Sequence, residues 1–248
     1  MRFFRRYPKT KRAAPRLAIV LAAGLTATTV LADGFRLPVK SDLAMAGWQE
    51  FEFDGKRRNN FVGGADGSIE INTDASASLI FLPIDVDPAA TPRLSWRWRV
   101  DENLPATDLS RRGGDDRPAA IFVFFEWDPD AASLKERMMR PLVEAWKGRD
   151  APGRLLSYTW GGDHPTGSLI ESAYFGGAGM QVILQNSNAP TGEWVSEDVD
   201  VAADYERIFG APPPPIRQLA ISADSDDTGG RSRASIIELM FGAAPKPN

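Results

Sequence analysis

The chain contains no cysteine among its 248 residues. Disulfide staples, thiol nucleophiles and thiolate metal sites are therefore excluded. Histidine is nearly absent too, His164 being the only one. A histidine zinc site would need partners of another type, and a serine triad would rest on that single residue. Long apolar runs are also missing. Residues 17–31 form an apolar stretch, but it falls short of the roughly 20 residues a membrane span requires and is diluted by Thr26, Thr28 and Thr29. No repeat period is evident, which argues against solenoids and propellers.

What is present begins with a leader. Arg2, Arg5, Arg6, Lys9, Lys11, Arg12 and Arg16 precede the apolar stretch without one acidic residue, and Val30-Leu31-Ala32 follows in a cleavage-site pattern. This predicts a signal peptide over residues 1–32, cleaved near Ala32, and a periplasmic or secreted protein with no stable membrane span after cleavage. Arg5-Arg6 is followed by Tyr7-Pro8 where a twin-arginine signal would place an apolar pair. Of 29 Lys+Arg and 33 Asp+Glu, the leader removes 7 basic residues and no acidic ones, leaving 22 against 33, or −11. That balance makes nucleic acid and anionic membranes poor partners. An apolar content of 43% suits a globular core large enough to do without disulfides.

Short β-type runs recur at 49–54, 60–63, 68–72, 77–82, 93–101, 119–127, 154–160, 180–186, 194–201, 216–223 and 234–241, separated by Gly, Pro, Asp and Asn clusters. They predict a mostly β chain: a single-domain antiparallel β-sandwich, jelly-roll-like, over residues 47–242. Residues 33–46 read as an approach segment and 243–248 as a flexible tail. Leu94, Trp96, Trp98 and Val100 alternate with Ser95, Arg97 and Arg99, so that strand has one dry face. Residues 119–127 are apolar on both faces, which predicts a central strand covered on both sides. The cover expected is a helix over 130–146, capped at Asp130, burying Leu134, Met138, Met139, Leu142, Val143 and Trp146 and kinked or split by Pro141. A shorter helical turn, 204–209, ends at Gly210.

Several clusters carry potential chemistry. Asp115-Asp116 follows two glycines and is flanked by Arg112 and Arg117. It suits a ligand- or cation-binding loop beside Arg97 and Arg99, or a turn whose carboxylates bind backbone amides. Asp224, Asp226 and Thr228 offer oxygens at alternate positions in a loop ending at Gly229, suited to a structural calcium or to an Asx turn. Glu126 and Asp128 share one strand face at roughly 6–7 Å, near a glycosidase separation. His164 with Tyr158 offers a base and an acid for polysaccharide β-elimination. Sugars stack on flat aromatic faces, and among seven tryptophans Trp160 and Trp194 border Gly-rich loops.

Trp96-Arg97-Trp98, Asp115-Asp116, Tyr158-Thr159-Trp160, Glu197, Asp204-Tyr205 with Phe209-Gly210, and Asp224-Ser225-Asp226-Asp227-Thr228-Gly229 occur in that order. In this the chain resembles a secreted bacterial family catalogued as domain of unknown function 3047, from about Trp48 to Phe241. The resemblance implies an extracytoplasmic β-sandwich similar to jelly-roll carbohydrate-recognition domains. No activity is established for that family, so it implies no catalytic residue. The family's arginine after the aspartate pair is replaced here by Ala120, unless Arg117 takes its place.

The expectation is a non-enzymatic binding module for a glycan or other neutral polar ligand, using Arg97, Arg99, Asp115, Asp116, Trp160 and Trp194. A carbohydrate-active enzyme, hydrolase or lyase, is the alternative, and a structural envelope protein a third. Export with cleavage predicts that the exported protein begins at Asp33. N-terminal sequencing of periplasmic or culture-medium protein checks this, and an intact Met1 would refute it.

Overall fold

A computed structural model describes residues 34–147 and 151–244. The leader, residues 148–150 and residues 245–248 lie outside them. Two sheets face each other. One runs β11 (Val195–Asp200), β6 (Arg93–Glu102), β13 (Arg231–Gly242), β4 (Ile69–Asp74), β3 (Asn60–Gly63), with β1 (Phe35–Arg36) pairing the end of β13. The other runs β2 (Gln49–Glu52), β5 (Ala77–Val86), β12 (Ile216–Asp224), β7 (Arg117–Phe125), β8 (Leu155–Trp160), β10 (Gly176–Gln185), β9 (Leu169–Ser172). Among the described residues the pairs are antiparallel except β8 with β10, which are parallel. The fold is therefore the expected antiparallel β-sandwich of jelly-roll type. Two short strands, β1 and β9, were not anticipated. No helix of the described residues is long and apolar enough to cross a membrane.

Alternation on β6 builds the core. Leu94, Trp96, Trp98 and Val100 are buried between the sheets. Trp98 meets Trp96 edge-on at 5.3 Å and Trp160 at 5.4 Å, and Trp96 lies 5.7 Å from Tyr158. Such ring pairs add about 0.5–1.5 kcal/mol each beyond burial.

Helix α2 (Val201–Phe209) closes one end of this core. Asp200 caps its start by accepting from the Ala203 amide at 2.9 Å, and Gly210 ends it at a φ of 71°. Its Tyr205 is buried at 4.5 Å from Phe125.

Helix α1 (Leu134–Lys147) runs unsplit through Pro141 and differs from expectation in two ways. Its cap is Ser133, in a reciprocal box with Glu136, whereas Asp128 binds the Asp130 and Ala131 amides in the turn before it. Leu134, Met138 and Met139 are exposed, at 74%, 71% and 48%, so this part of the predicted buried stripe faces solvent, and the side chains of Leu142, Val143 and Trp146 lie outside the described ones. The charged side is the anchored one. Arg154 holds Glu136 at 2.9 Å, and Arg140 reaches the Pro152 carbonyl at 3.1 Å. Burial alone would raise the Glu136 carboxyl, but Arg154 and Ser133 hold it down to about 2.

A buried polar junction ties strand ends together. The Asn59 side chain donates to the carbonyls of Ser78 (3.1 Å) and Ala223 (2.7 Å) and accepts from Ser76 Oγ at 2.7 Å. Ser225 joins it through Ser76. Asn59→Ala would leave these buried groups unpaired at about 1–3 kcal/mol apiece. Chemical denaturation should show a loss of at least about 2 kcal/mol, and an unchanged midpoint would contradict the role given to Asn59.

Candidate functional site

The outward face of the seven-stranded sheet carries an apolar cluster separate from the core between the sheets. The outward residues of its central strands are Leu79 and Phe81 on β5, Ala220 on β12, Phe122 and Phe124 on β7, and Leu155 on β8, forming one apolar cluster. Register aligns Phe81, Ala220, Phe122 and Ser157 across four strands. Phe122 and Phe124 stack at 6.1 Å with an interplanar angle of 19°. Leu79, Phe81 and Phe122 remain partly exposed, so a strip of rings and aliphatic surface meets solvent on a rigid sheet.

A dense polar cluster closes one end of this strip. β7 begins at Arg117 and β12 ends at Asp224, and the two residues pair in register. The Arg117 guanidinium lies 5.5 Å from the Phe122 ring, donates to the Asp115 carbonyl at 2.5 Å and sits 3.5 Å from the Asp115 carboxylate. Tyr174, on the β9–β10 turn, donates to Asp115 at 3.1 Å, with Arg112 over its ring at 5.4 Å. Asp116 points away from the strip. It accepts from the Thr228 amide at 2.8 Å, the Thr228 hydroxyl and the Asp227 amide at 3.2 Å. The aspartate pair and the acidic loop, remote in sequence, are thus bolted together.

Burial of Asp224, only 8% exposed, pushes its carboxyl up to about 8; Asp226 and Asp115 push the same way against Arg117. Burial and Asp115 raise the Tyr174 phenol to about 12. Asp227 is raised by burial and by Asp226.

The other sequence candidates fall elsewhere. Arg97 and Arg99 project from the outer face of the six-stranded sheet and flank the Trp194 ring at 5.5 and 5.0 Å. Arg99 also pairs with Asp101 at 2.9 Å. These three residues form one patch, on a different sheet from Asp115 and Asp116. Trp160 is 0% exposed and packs on Trp98, which leaves no ring face for a sugar. In the acidic loop, Lys56 bonds Asp226, the Asp226 amide donates to Asp224 at 3.3 Å, and Thr228 gives its hydroxyl to Asp116.

Glu126 is exposed and paired with Arg217 at 2.6 Å, and Asp128 serves the turn before α1. Tyr158 is buried in the core and donates to Asp204 at 3.0 Å, its phenol raised by burial, so it forms no acid–base pair with a loop histidine. His164 lies 3.0 Å from Asp163 and 3.7 Å from Asp108, the one His/Asp/Glu group among the described residues with ligand atoms within 4.8 Å. Sequence reasoning missed Phe81, Phe122, Arg117 and Tyr174 as members of one surface. The outward apolar face of β7 is visible in the sequence as alternation.

A two-sheet antiparallel sandwich with an open outer face and a polar cluster at its rim defines the class. The chain belongs to the family described as "Protein of unknown function (DUF3047)", whose model matches residues 46–240. No curated protein matches it. Among solved structures it is similar to the family 11 carbohydrate-binding module of the cellulosomal cellulase Lic26A-Cel5E of Clostridium thermocellum. That likeness has 10% identity, a TM-score of 0.44, and covers 88% of this chain and 99% of that one. It is also similar to the xyloglucanase domain of NopAA, a type three effector from Sinorhizobium fredii, at 8% identity and a TM-score of 0.43, covering 79% and 98%. A cellulase derived from Cel12A of Rhodothermus marinus gives 15%, 0.39, 82% and 96%. At such scores none of these likenesses bears on what this chain binds.

The Asp224 environment has a thermodynamic signature. Between pH about 4 and 8 the folded protein keeps a proton that the unfolded chain has released. Asp224 therefore costs stability progressively as pH rises through that window, and no further above it. Asp224→Asn removes this dependence, so its melting temperature should gain on the wild type between pH 5 and 8. Parallel curves for the two proteins would contradict the raised carboxyl.

Proposed function

We propose that the protein is an exported module that binds a glycan on the outer face of the seven-stranded sheet. The observation carrying this reading is the strip of partly exposed Leu79, Phe81 and Phe122, backed by buried Phe124 and ending at Arg117 and Asp115. The C–H faces of a pyranose pack against aromatic and aliphatic surface, while its hydroxyls need donors and acceptors at the edge. The strip supplies the first and the polar rim the second. Strand pairing fixes both, so little order has to be created on binding. The acidic balance beyond the leader disfavours sulfated or uronic polymers and leaves neutral glycans. Binding by itself needs no catalytic group.

Affinity electrophoresis against a panel of neutral polysaccharides, followed by calorimetry on those that retard the protein, tests the reading. Phe122→Ala should weaken binding about tenfold, the worth of one ring contact near 1.4 kcal/mol, with the melting transition still cooperative. Retardation by no polysaccharide, or binding indifferent to both Phe122→Ala and Leu79→Ala, would overturn it. Arg97→Ala and Trp194→Ala, on the opposite sheet, should leave affinity unchanged.

A further inference from the structure

We propose that the apolar strip holds the end of a linear neutral glycan rather than a stretch from its middle, with the rest of the chain leaving over β2. The inference rests on the glycan reading above and adds which part of the polymer is held. Strand register extends the strip to the edge of the sheet. Phe51 on β2 stands opposite Leu79, and Gln49 opposite Phe81. Both rows continue inward, the first through Ser222 and Ala120, the second through Ala220 and Phe122. Phe51 is partly exposed, with the Phe53 ring edge-on at 5.4 Å, and Gln49 is exposed, its amide free to meet a sugar hydroxyl. β2 carries no strand on its far side among the described residues, so this side of the strip is open. Three interstrand steps separate β2 from β7, which at about 4.8 Å each makes the strip about 14 Å across, the length of about three pyranose units.

The other sides are bounded. Beyond Phe122 and Ala120 the rows reach Ser157 with Gln181, and Thr159 with Ile183. These four occupy outward positions, yet none is more than 7% exposed. The segment before β7 lies over them. Leu109 packs with Ile170 and Ile183, and its carbonyl accepts from the Gln181 amide at 3.2 Å. A segment resting on a sheet stands a chain's thickness above the bare surface beside it, so a sugar chain crossing from β2 meets a step after Phe122. Along the strands the apolar surface ends in charge. Arg117, Asp115 and the exposed Tyr174 stand at one end. Arg217, paired with Glu126 at 2.6 Å and with Asp85, stands at the other. Only between these limits does the C–H face of a pyranose find apolar contact. The middle of a polymer needs two ways out of its site, and a chain end needs one. The strip offers one, over β2.

The test uses the full processed protein and linear oligosaccharides of graded length cut from whichever neutral polysaccharide retards it. Calorimetry reads the affinity and the number of protein molecules bound per chain. One protein per chain is expected at every length, with affinity rising up to about three sugars and level beyond, as the width of the strip sets. Phe51→Ala should weaken binding about tenfold for every oligosaccharide long enough to reach β2, with the melting transition still cooperative. Proteins per chain that increase with chain length, or affinity that keeps climbing with length, would overturn the inference and leave the binding reading standing. Binding indifferent to Phe51→Ala would do the same. Should Phe51→Ala fail to fold, the stoichiometry of the wild type decides alone. Absence of retardation by any polysaccharide removes the binding reading and this inference with it.

Discussion

The contact on which the candidate site depends is made by Asp116, which takes the backbone amides of Asp227 and Thr228 and the Thr228 hydroxyl. A carboxylate accepting three donors is a strong, directional tie. It lies almost wholly out of solvent and joins the loop entering β7 to the loop leaving β12, whose strands are already neighbours. Once those loops are fastened, Arg117 and Asp224 cannot drift apart, and Asp115 is held by the Arg117 guanidinium and the Tyr174 hydroxyl. Adjacent aspartates thus divide the work, one joining the β7 approach to the loop after β12 and the other joining it to the β9–β10 turn.

A second layer of constraint lies beneath. Trp96, Trp98, Trp160 and Tyr158 interlock between the sheets, with Trp98 donating to Glu197 at 3.1 Å and Tyr158 to Asp204. Nearly every short motif that carries the family resemblance resolves into one of these two roles. The aromatic motifs and their acidic partners fix the core, and the aspartate motifs fix the rim. Arg117 stands at the start of the central strand, paired with Asp115.

Much of the body was legible in the residues. Alternation on β6 revealed which side of the strand is dry, because one face lies against a second sheet and the other against water. The capped turn ending at Gly210 was legible for the same local reason. What escaped is what depends on distant pairing. β9 is short and owes its strand state to β10 beside it. Leu134 and Met138 carry helical spacing that predicts burial, but the Arg154–Glu136 ion pair turns the opposite side of α1 inward. Trp160 borders a glycine pair in sequence, yet strand parity directs its ring to the core. The grouping of Asp115, Arg117, Asp224 and Tyr174 depends on strand order, which composition and spacing do not encode.

The placement of the final strands bears on how the chain matures. β12 lies between β5 and β7, and β13 between β6 and β4, so each sheet is completed around a strand near the C-terminal end of the chain. Contacts of such long sequence separation form slowly and only once the whole chain is available. Each layer therefore lacks its centre until β12 and β13 have been made, and strands as early as β4 and β5 wait unpaired on that side for partners more than a hundred residues further along the chain.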